Sequence, residues 1–302
     1  MYTSFSSMET RHYENGDICL TYNIAGEGEL IHLAHANGFS SGVYKPIFDD
    51  LRKDFTIAGM NICGQCHCSA NKCDGKKMLK SWHALAHELG DLIAAVSGGK
   101  RIVAAGHSIG GIATMLCAVE RPELFKKIIL LDPVLVDLKS IRLFRLAKLF
   151  GMMNNSPLAV RARKRKNGWD SREEAVEYFR ARPLFAGWAD ESLQAYGEYG
   201  LFENSEGRFE LSCPPEVEAR GFSTYPTSVW NRLRKLRVPV LLVRGGSSDT
   251  FSTASRDLFL KILPGADYLE LDGLGHLFPM QAPQRTASII RNYTLGKKFD
   301  FR

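Results

Sequence analysis

A glycine-flanked serine at the junction of two sequence patterns constrains the fold of this chain more than any other feature. The apolar run from Arg101 to Ala105 predicts a buried strand, and the residues from Ser108 to Arg121 have the apolar spacing of a helix. The junction reads Gly106-His107-Ser108-Ile109-Gly110, which fits G-x-S-x-G. Between a strand and a helix, this pattern predicts a sharp turn that projects the serine hydroxyl above the end of a sheet.

Strand and helix signals alternate on both sides of this junction. Short apolar runs at Leu30–Ala34, Phe55–Ile62, Lys126–Leu131 and Val240–Arg244 predict buried strands, and helical spacing lies between most of them. Near the start, Asn15 and the glycine after it predict a hairpin turn. This alternation predicts an α/β fold with a mostly parallel sheet and helices on both of its faces.

The alternation stops between Asp137 and Trp230. That stretch has no clear buried-strand pattern and contains three helix-like pieces, at Ser140–Phe150, Ser171–Arg180 and Asp190–Tyr199. Ser171-Arg172-Glu173-Glu174 fits a capping box that opens the second piece. We therefore predict one core in two parts, residues 1–136 and 231–302, separated by a helical lid at residues 137–230.

A serine hydroxyl needs a neighbouring base to act as a nucleophile. His276 is the one histidine that follows Ser108 in the chain, so it is the predicted base. Where G-x-S-x-G joins a strand to a helix in this way, the order along the chain is nucleophile, acid, histidine. Asp249, in the turn after the strand Val240–Arg244, is the favoured acid, and Asp132, directly after an earlier strand, is the alternative.

These residues together resemble the α/β-hydrolase superfamily, and the similarity covers roughly Asp17–Pro133 and Val238–Leu295. The loop His35-Ala36-Asn37-Gly38-Phe39 adds to the resemblance, because the family has a His-Gly-x loop after the corresponding strand. The resemblance implies an oxyanion hole made by the backbone N–H groups of Phe39 and Ile109. The chain departs from the family at Asn37, where a histidine is usual.

A cluster of cysteines allows two other interpretations. Cys63 and Cys66, followed by His67, match the C-x-x-C-H haem pattern, and the nearby Cys68 and Cys73 suggest zinc. Covalent haem attachment requires export, and the first residues lack the pattern of a secretory signal. The second pair of zinc ligands would be unusually compressed. We therefore predict no metal and no cofactor, and leave open metal binding or redox activity of the cluster.

Charge and cysteine content bear on partners and location. The chain has 302 residues, a net charge of +6 and seven cysteines. Much of the positive charge lies in the run Arg161, Arg163, Lys164, Arg165 and Lys166, which is most simply a solvated face because no nucleic-acid motif accompanies it. We predict a cytoplasmic protein with reduced thiols, no membrane span and no nucleic-acid partner.

The resulting hypothesis is a serine hydrolase that cleaves a small to medium hydrophobic carboxylic ester through an acyl-enzyme. A cofactor-free C–C hydrolase or a perhydrolase with the same three residues is the alternative within enzymes. A small-molecule binding protein on the same scaffold is the alternative outside them. The sequence leaves the physiological substrate and the oligomeric state undetermined.

Overall fold

The computed structural model describes residues 7–15, 18–62 and 79–297, and an eight-stranded sheet forms its centre. In chain order the strands are β1 (Glu9–Asn15), β2 (Ile18–Ala25), β3 (Leu30–Ala34), β4 (Thr56–Met60), β5 (Ile102–His107), β6 (Phe125–Leu131), β7 (Leu201–Glu203), β8 (Phe209–Leu211), β9 (Val240–Gly245) and β10 (Asp267–Leu271). The large sheet has the order β1-β2-β4-β3-β5-β6-β9-β10, and β7 and β8 form a separate pair.

Six neighbouring strands of the large sheet, β4, β3, β5, β6, β9 and β10, run parallel to one another. β2 is antiparallel to both of its neighbours, β1 and β4. The predicted hairpin is present, since Asn15 pairs with Ile18. β5 lies between β3 and β6, with Leu33 opposite Ala105 on one side and Ala105 opposite Ile129 on the other. The carboxyl ends of the central strands therefore meet at one edge of the sheet, where ligand sites of open α/β sheets form.

Helices cover both faces of this sheet, as predicted. They are α1 (Lys45–Leu51), α2 (Trp82–Val96), α3 (Ile109–Glu120), α4 (Leu138–Leu149), α5 (Pro157–Arg163), α6 (Arg172–Arg180), α7 (Asp190–Tyr199), α8 (Pro215–Ser223), α9 (Val229–Leu233), α10 (Thr253–Ile262), α11 (Phe278–Gln281) and α12 (Pro283–Thr294). Short 3-10 turns lie at Ser41–Tyr44, Pro122–Leu124, Met152–Asn155 and Pro183–Phe185.

Alternate residues of β5 belong to two different hydrophobic cores. Ile102 and Ala104 face the core shared with α2 and α3, whereas Val103 and Ala105 face the core shared with α1 and α12. All residues of β5 are buried, which explains why this strand reads as a continuous apolar run instead of an alternating one.

Six helices, α4 to α9, and the β7–β8 pair lie between β6 and β9, and we call this segment the insertion. It adds no strand to the eight-stranded sheet. The three predicted helical pieces correspond to α4, α6 and α7. Sequence periodicity missed the β7–β8 pair, because strands of three residues are too short to show a period. The two ends of the insertion lie side by side, since Trp230 Nε1 donates to Val136 O at 2.9 Å.

No helix in the described ranges is long and apolar enough to cross a membrane.

The predicted cap of α6 forms with one difference. Ser171 Oγ accepts a hydrogen bond from Glu174 N at 3.1 Å, as in a capping box. The Glu174 carboxylate, however, accepts from Asp170 N at 2.8 Å, one residue before the cap.

We expect Ser171→Ala to lower the free energy of unfolding by about 1 kcal/mol, because it leaves the Glu174 N–H without its acceptor. Urea denaturation followed by circular dichroism measures this. Ser171→Asp is the matched control, since a carboxylate can accept the same bond and should retain most of the stability. An equal loss in both variants would show that the capping bond is not the cause.

Candidate active site

Ser108 stands at the junction of β5 and α3 in a strained backbone conformation. Its φ is 58° and its ψ is −120°, values that residues with a side chain rarely adopt. Two close approaches explain the flanking glycines. A Cβ on Gly106 would lie 2.4 Å from Gly110 O, and a Cβ on Gly110 would lie 2.4 Å from Ala34 O. The elbow therefore requires glycine at both positions.

His276, in the loop after β10, lies against the serine. Its Nε2 is 3.1 Å from Ser108 Oγ, and its Nδ1 is 2.7 Å from Asp132 Oδ2. Because a carboxylate can only accept, Nδ1 carries the proton and Nε2 is free to accept the serine proton. This is the arrangement that makes a serine hydroxyl nucleophilic.

Asp132 follows β6 directly and is fully buried. Its Oδ1 accepts from Gly245 N at 2.8 Å, and its Oδ2 accepts from Ser248 Oγ at 2.6 Å as well as from His276. Its φ of 42° is positive, as is that of Ser108, so both residues have strained backbones. Three donors around one buried carboxylate fix its position.

The structure places the alternative acid, Asp132, and not the favoured Asp249, against His276. Asp249 is exposed, and its carboxylate accepts from the neighbouring Thr250 Oγ1 at 3.1 Å. Both aspartates lie between Ser108 and His276 in the chain, so chain order could not distinguish them. The loop after β9 instead turns Ser248 inward to donate to Asp132. Sequence reasoning missed Ser248.

A second series of hydrogen bonds passes through His107, the residue before Ser108. Ala36 N donates to Tyr44 Oη at 3.0 Å, and Tyr44 Oη lies 2.7 Å from His107 Nδ1. His107 Nε2 lies 2.9 Å from the carbonyl oxygen of His276, to which it must donate. Nδ1 then accepts from the tyrosine hydroxyl. Tyr44 and His107 thus connect the loop after β3, the elbow and the loop of the catalytic histidine candidate.

The two predicted oxyanion donors differ in whether their backbone N–H groups already have an acceptor. Ile109 is the first residue of α3, so its N–H has no acceptor within the helix. Phe39 N donates to Ala36 O at 3.3 Å, which is a long bond within a turn. Phe39 must release or share that bond to serve an oxyanion.

The insertion contacts this same loop through a buried ion pair. A Cβ on Gly38 would lie 2.8 Å from Glu218 Cδ, so the Glu218 carboxylate of α8 packs directly on the loop. Arg165 forms a salt bridge with Glu218 and donates to Tyr196 Oη at 2.8 Å. Asn37 Nδ2 donates to Glu218 O at 2.9 Å. Arg165, part of the basic run predicted to be solvated, is therefore largely buried beside the loop.

Aromatic side chains of the insertion surround Phe39. Its ring meets those of Trp188 and Tyr196 edge to face, with centroids 5.6 and 5.7 Å apart. Phe179 and Phe185 extend the cluster behind Tyr196. These contacts add packing energy beyond the apolar area that they bury, so the insertion holds the loop in place.

Two sets of side chains bear on metal binding: the cysteine cluster singled out in the sequence, and a pair of histidines on α2. The segment from Cys63 to Cys73 lies outside the described residues. His83 and His87 both face Glu120, at 3.7 and 3.3 Å. Within the part of the chain that the structure describes, no group of three or more His, Cys, Asp or Glu side chains is placed to hold a metal ion.

Comparisons with known proteins agree with this architecture. The family model described as "Alpha/beta hydrolase family" matches residues 33–289. Among solved structures, E-2-(acetamidomethylene)succinate hydrolase is similar with a TM-score of 0.75 and 19% identity, over 96% of this chain and 100% of that one. A thermophilic esterase from Thermogutta terrifontis is similar with a TM-score of 0.66 and 18% identity, over 96% and 99% of the two chains. At these identities the similarity shows the fold.

A curated relative is an uncharacterised protein of Mycobacterium tuberculosis. It is 29% identical over 128 residues, which is 42% of this chain and 36% of the relative. The match therefore spans about a third of that relative's length.

Three buried histidines around the site predict acid sensitivity. Burial lowers the pKa of His32 from 6.5 to about 3 and that of His35 to about 4, and burial also holds the pKa of His107 well below 6.5. Each is neutral when folded and binds a proton when unfolded below pH 6.5. Their contribution to the free energy of unfolding is complete above pH 6.5 and is lost as the pH falls, down to about 4 for His35 and about 3 for His32, at roughly 1.4 kcal/mol per pH unit for each histidine.

Urea unfolding at several pH values between 7 and about 4.5 tests this linkage. The informative variant is His32→Gln, whose side-chain amide can still offer an acceptor to Met60 N. We expect it to reduce the pH slope of the free energy of unfolding, whatever its effect on absolute stability. An unchanged slope would refute the assignment of a buried neutral imidazole at this position.

Proposed function

Because the chain belongs to the α/β-hydrolase family, we propose that it cleaves a carboxylic ester with Ser108 as nucleophile, His276 as base and Asp132 as acid. The observation that carries this proposal is the continuous hydrogen-bonded chain from Ser108 Oγ through His276 to the buried Asp132 carboxylate. The proposed reaction requires no metal or organic cofactor, since the proton of Ser108 Oγ has a complete path among these side chains.

The reaction begins when His276 Nε2 takes the proton of Ser108 Oγ and the oxygen attacks the ester carbonyl. The Asp132 carboxylate stabilises the resulting imidazolium at Nδ1 without taking its proton. The imidazolium then gives its Nε2 proton to the departing alcohol, leaving an acyl-enzyme. Water attacks that ester after losing a proton to His276, and the carboxylic acid leaves as Ser108 regains its proton.

The negative charge that develops on the carbonyl oxygen is stabilised by backbone amides. Ile109 N–H lies at the N-terminus of α3, where the helix dipole also favours negative charge. Phe39 N–H is the second donor. Its present bond to Ala36 O is long, and a charged acceptor forms a stronger bond than a carbonyl.

The insertion is the proposed lid, with residues 137–230 as its bounds. Its aromatic cluster around Phe39 lies next to the proposed oxyanion site and favours an apolar acyl or alcohol group. The substrate is therefore a small to medium hydrophobic ester. The buried Cys117 is a free thiol, which supports a reducing, cytoplasmic location.

The first test is labelling with a fluorophosphonate probe, together with hydrolysis of short- and medium-chain p-nitrophenyl esters. We expect the wild type to be labelled and active, and Ser108→Ala to lose both properties while it keeps its fold. Ser248→Ala is a useful companion, because it leaves the nucleophile in place and should lower kcat by roughly tenfold. Labelling that persists in Ser108→Ala would contradict the assignment of the nucleophile.

A folded wild type that binds ester analogues without turnover would instead support a binding protein. A panel that includes C–C substrates and peracid formation separates the other enzymatic alternatives.

The acid is tested by a matched pair of substitutions. We expect Asp132→Asn to reduce kcat by about four orders of magnitude, because an amide cannot hold the required imidazole tautomer. Asp249→Asn is the same chemical change in an exposed residue and should leave kcat within about twofold of the wild type. The result that would contradict the proposal is a larger loss in Asp249→Asn than in Asp132→Asn.

A further inference from the structure

Helix α4, at the start of the insertion, exposes an unusual amount of apolar surface. Leu143, Leu146 and Leu149 are 63%, 56% and 77% exposed, and Phe150 and Met152 directly after the helix are 71% and 60% exposed. The three leucines are spaced three residues apart, so they lie along one side of the helix. We call these five residues the leucine face.

The leucine face is additional to the side of α4 that packs on the protein. Ile141 is buried, and Phe144 and Ala147 pack against the core beside it. The Phe144 ring meets that of Tyr225 with centroids 5.4 Å apart. A helix on a protein surface needs one apolar side. A second, exposed apolar side of this size indicates a binding surface.

The charges on α4 are all of one sign. Its twelve residues include Lys139, Arg142, Arg145 and Lys148, and no acidic residue. These basic side chains are exposed beside the leucine face. Asp137, which caps the helix, uses its carboxylate to accept from Lys139 N and Ser140 N. The surface around the leucines is therefore strongly positive.

From this combination we infer that α4 docks on an anionic lipid surface, with the leucine face inserted among the acyl chains. A helix with leucine and phenylalanine on one side and lysine and arginine on the flanks lies in the plane of a membrane interface. The basic side chains then contact anionic headgroups. Charge argues against a second copy of the chain as the occupant, because two such helices would bring like charges together.

This inference is independent of the proposed ester hydrolysis, although the two surfaces are close in the chain. Pro133–Asp137 alone separate Asp132 from α4. Val134 O accepts from Tyr225 Oη at 3.1 Å, so the connection is held against the insertion. Docking through α4 would present this side of the insertion to the lipid.

The experiment is flotation of the full chain with vesicles of phosphatidylcholine alone and with vesicles that contain about one third phosphatidylserine. Ser108→Ala protein is measured in parallel, so that binding is scored without any hydrolysis. We expect both proteins to float with the anionic vesicles, and the bound fraction to fall as salt concentration rises. No binding to the anionic vesicles, or equal binding to both vesicle types, would overturn the inference.

Two double variants separate the apolar and charge contributions. Leu146→Ser with Leu149→Ser should lower the partition coefficient by roughly tenfold or more, since two inserted side chains become polar. Its control is Leu184→Ser with Leu295→Ser, which changes exposed leucines outside α4 and should bind as the wild type does.

Arg142→Gln with Lys148→Gln should lower binding to anionic vesicles by roughly ten- to thirtyfold. Its control, Lys235→Gln with Lys261→Gln, removes the same charge from exposed positions elsewhere. Equal losses in a variant and its control would overturn the assignment to α4. Concentration-dependent dimerisation without vesicles, abolished by the leucine variant, would assign this surface to a second copy and also overturn it.

Discussion

The hydrogen bonds to the Asp132 carboxylate are the interaction on which the arrangement of the site depends. This buried group accepts from the backbone of Gly245, from the Ser248 hydroxyl and from His276. It therefore joins the carboxyl end of β6 to the loops after β9 and β10. A buried carboxylate is costly unless donors surround it, so each donor stabilises the position of the others.

The parallel register of the sheet makes this convergence possible. β5, β6 and β9 are adjacent, so the residues that follow them meet at one edge. Ser108 and Asp132 both have positive φ values there, and the sheet bonds that precede them hold these unfavourable conformations. The chain Tyr44–His107–His276 adds a second connection under the same edge.

The insertion has two surfaces of different character. Its inner side contacts the loop of Gly38 and Phe39 through the Arg165–Glu218 pair and an aromatic cluster. Its outer side, at α4, exposes leucines between basic side chains. One segment thus both holds the proposed oxyanion loop and contains α4, the helix with the most exposed large apolar side chains in the described part of the chain.

The sequence by itself determined the α/β alternation, the serine elbow and His276 as the one candidate base after Ser108. Each depends on local pattern or on counting: buried parallel strands are apolar throughout, the elbow requires glycines at fixed spacing, and one histidine follows Ser108. The hairpin at Asn15 and the helices α4, α6 and α7 were predictable for the same reason.

Only the tertiary structure decided which aspartate contacts His276, because Asp132 and Asp249 both satisfy the chain order and differ in the direction in which their loops turn. The same holds for Ser248 and Tyr44, whose partners are distant in sequence, and for Arg165, which a local charge pattern placed in solvent. Hydrogen bonds between distant residues have no local signature, so packing alone reveals them.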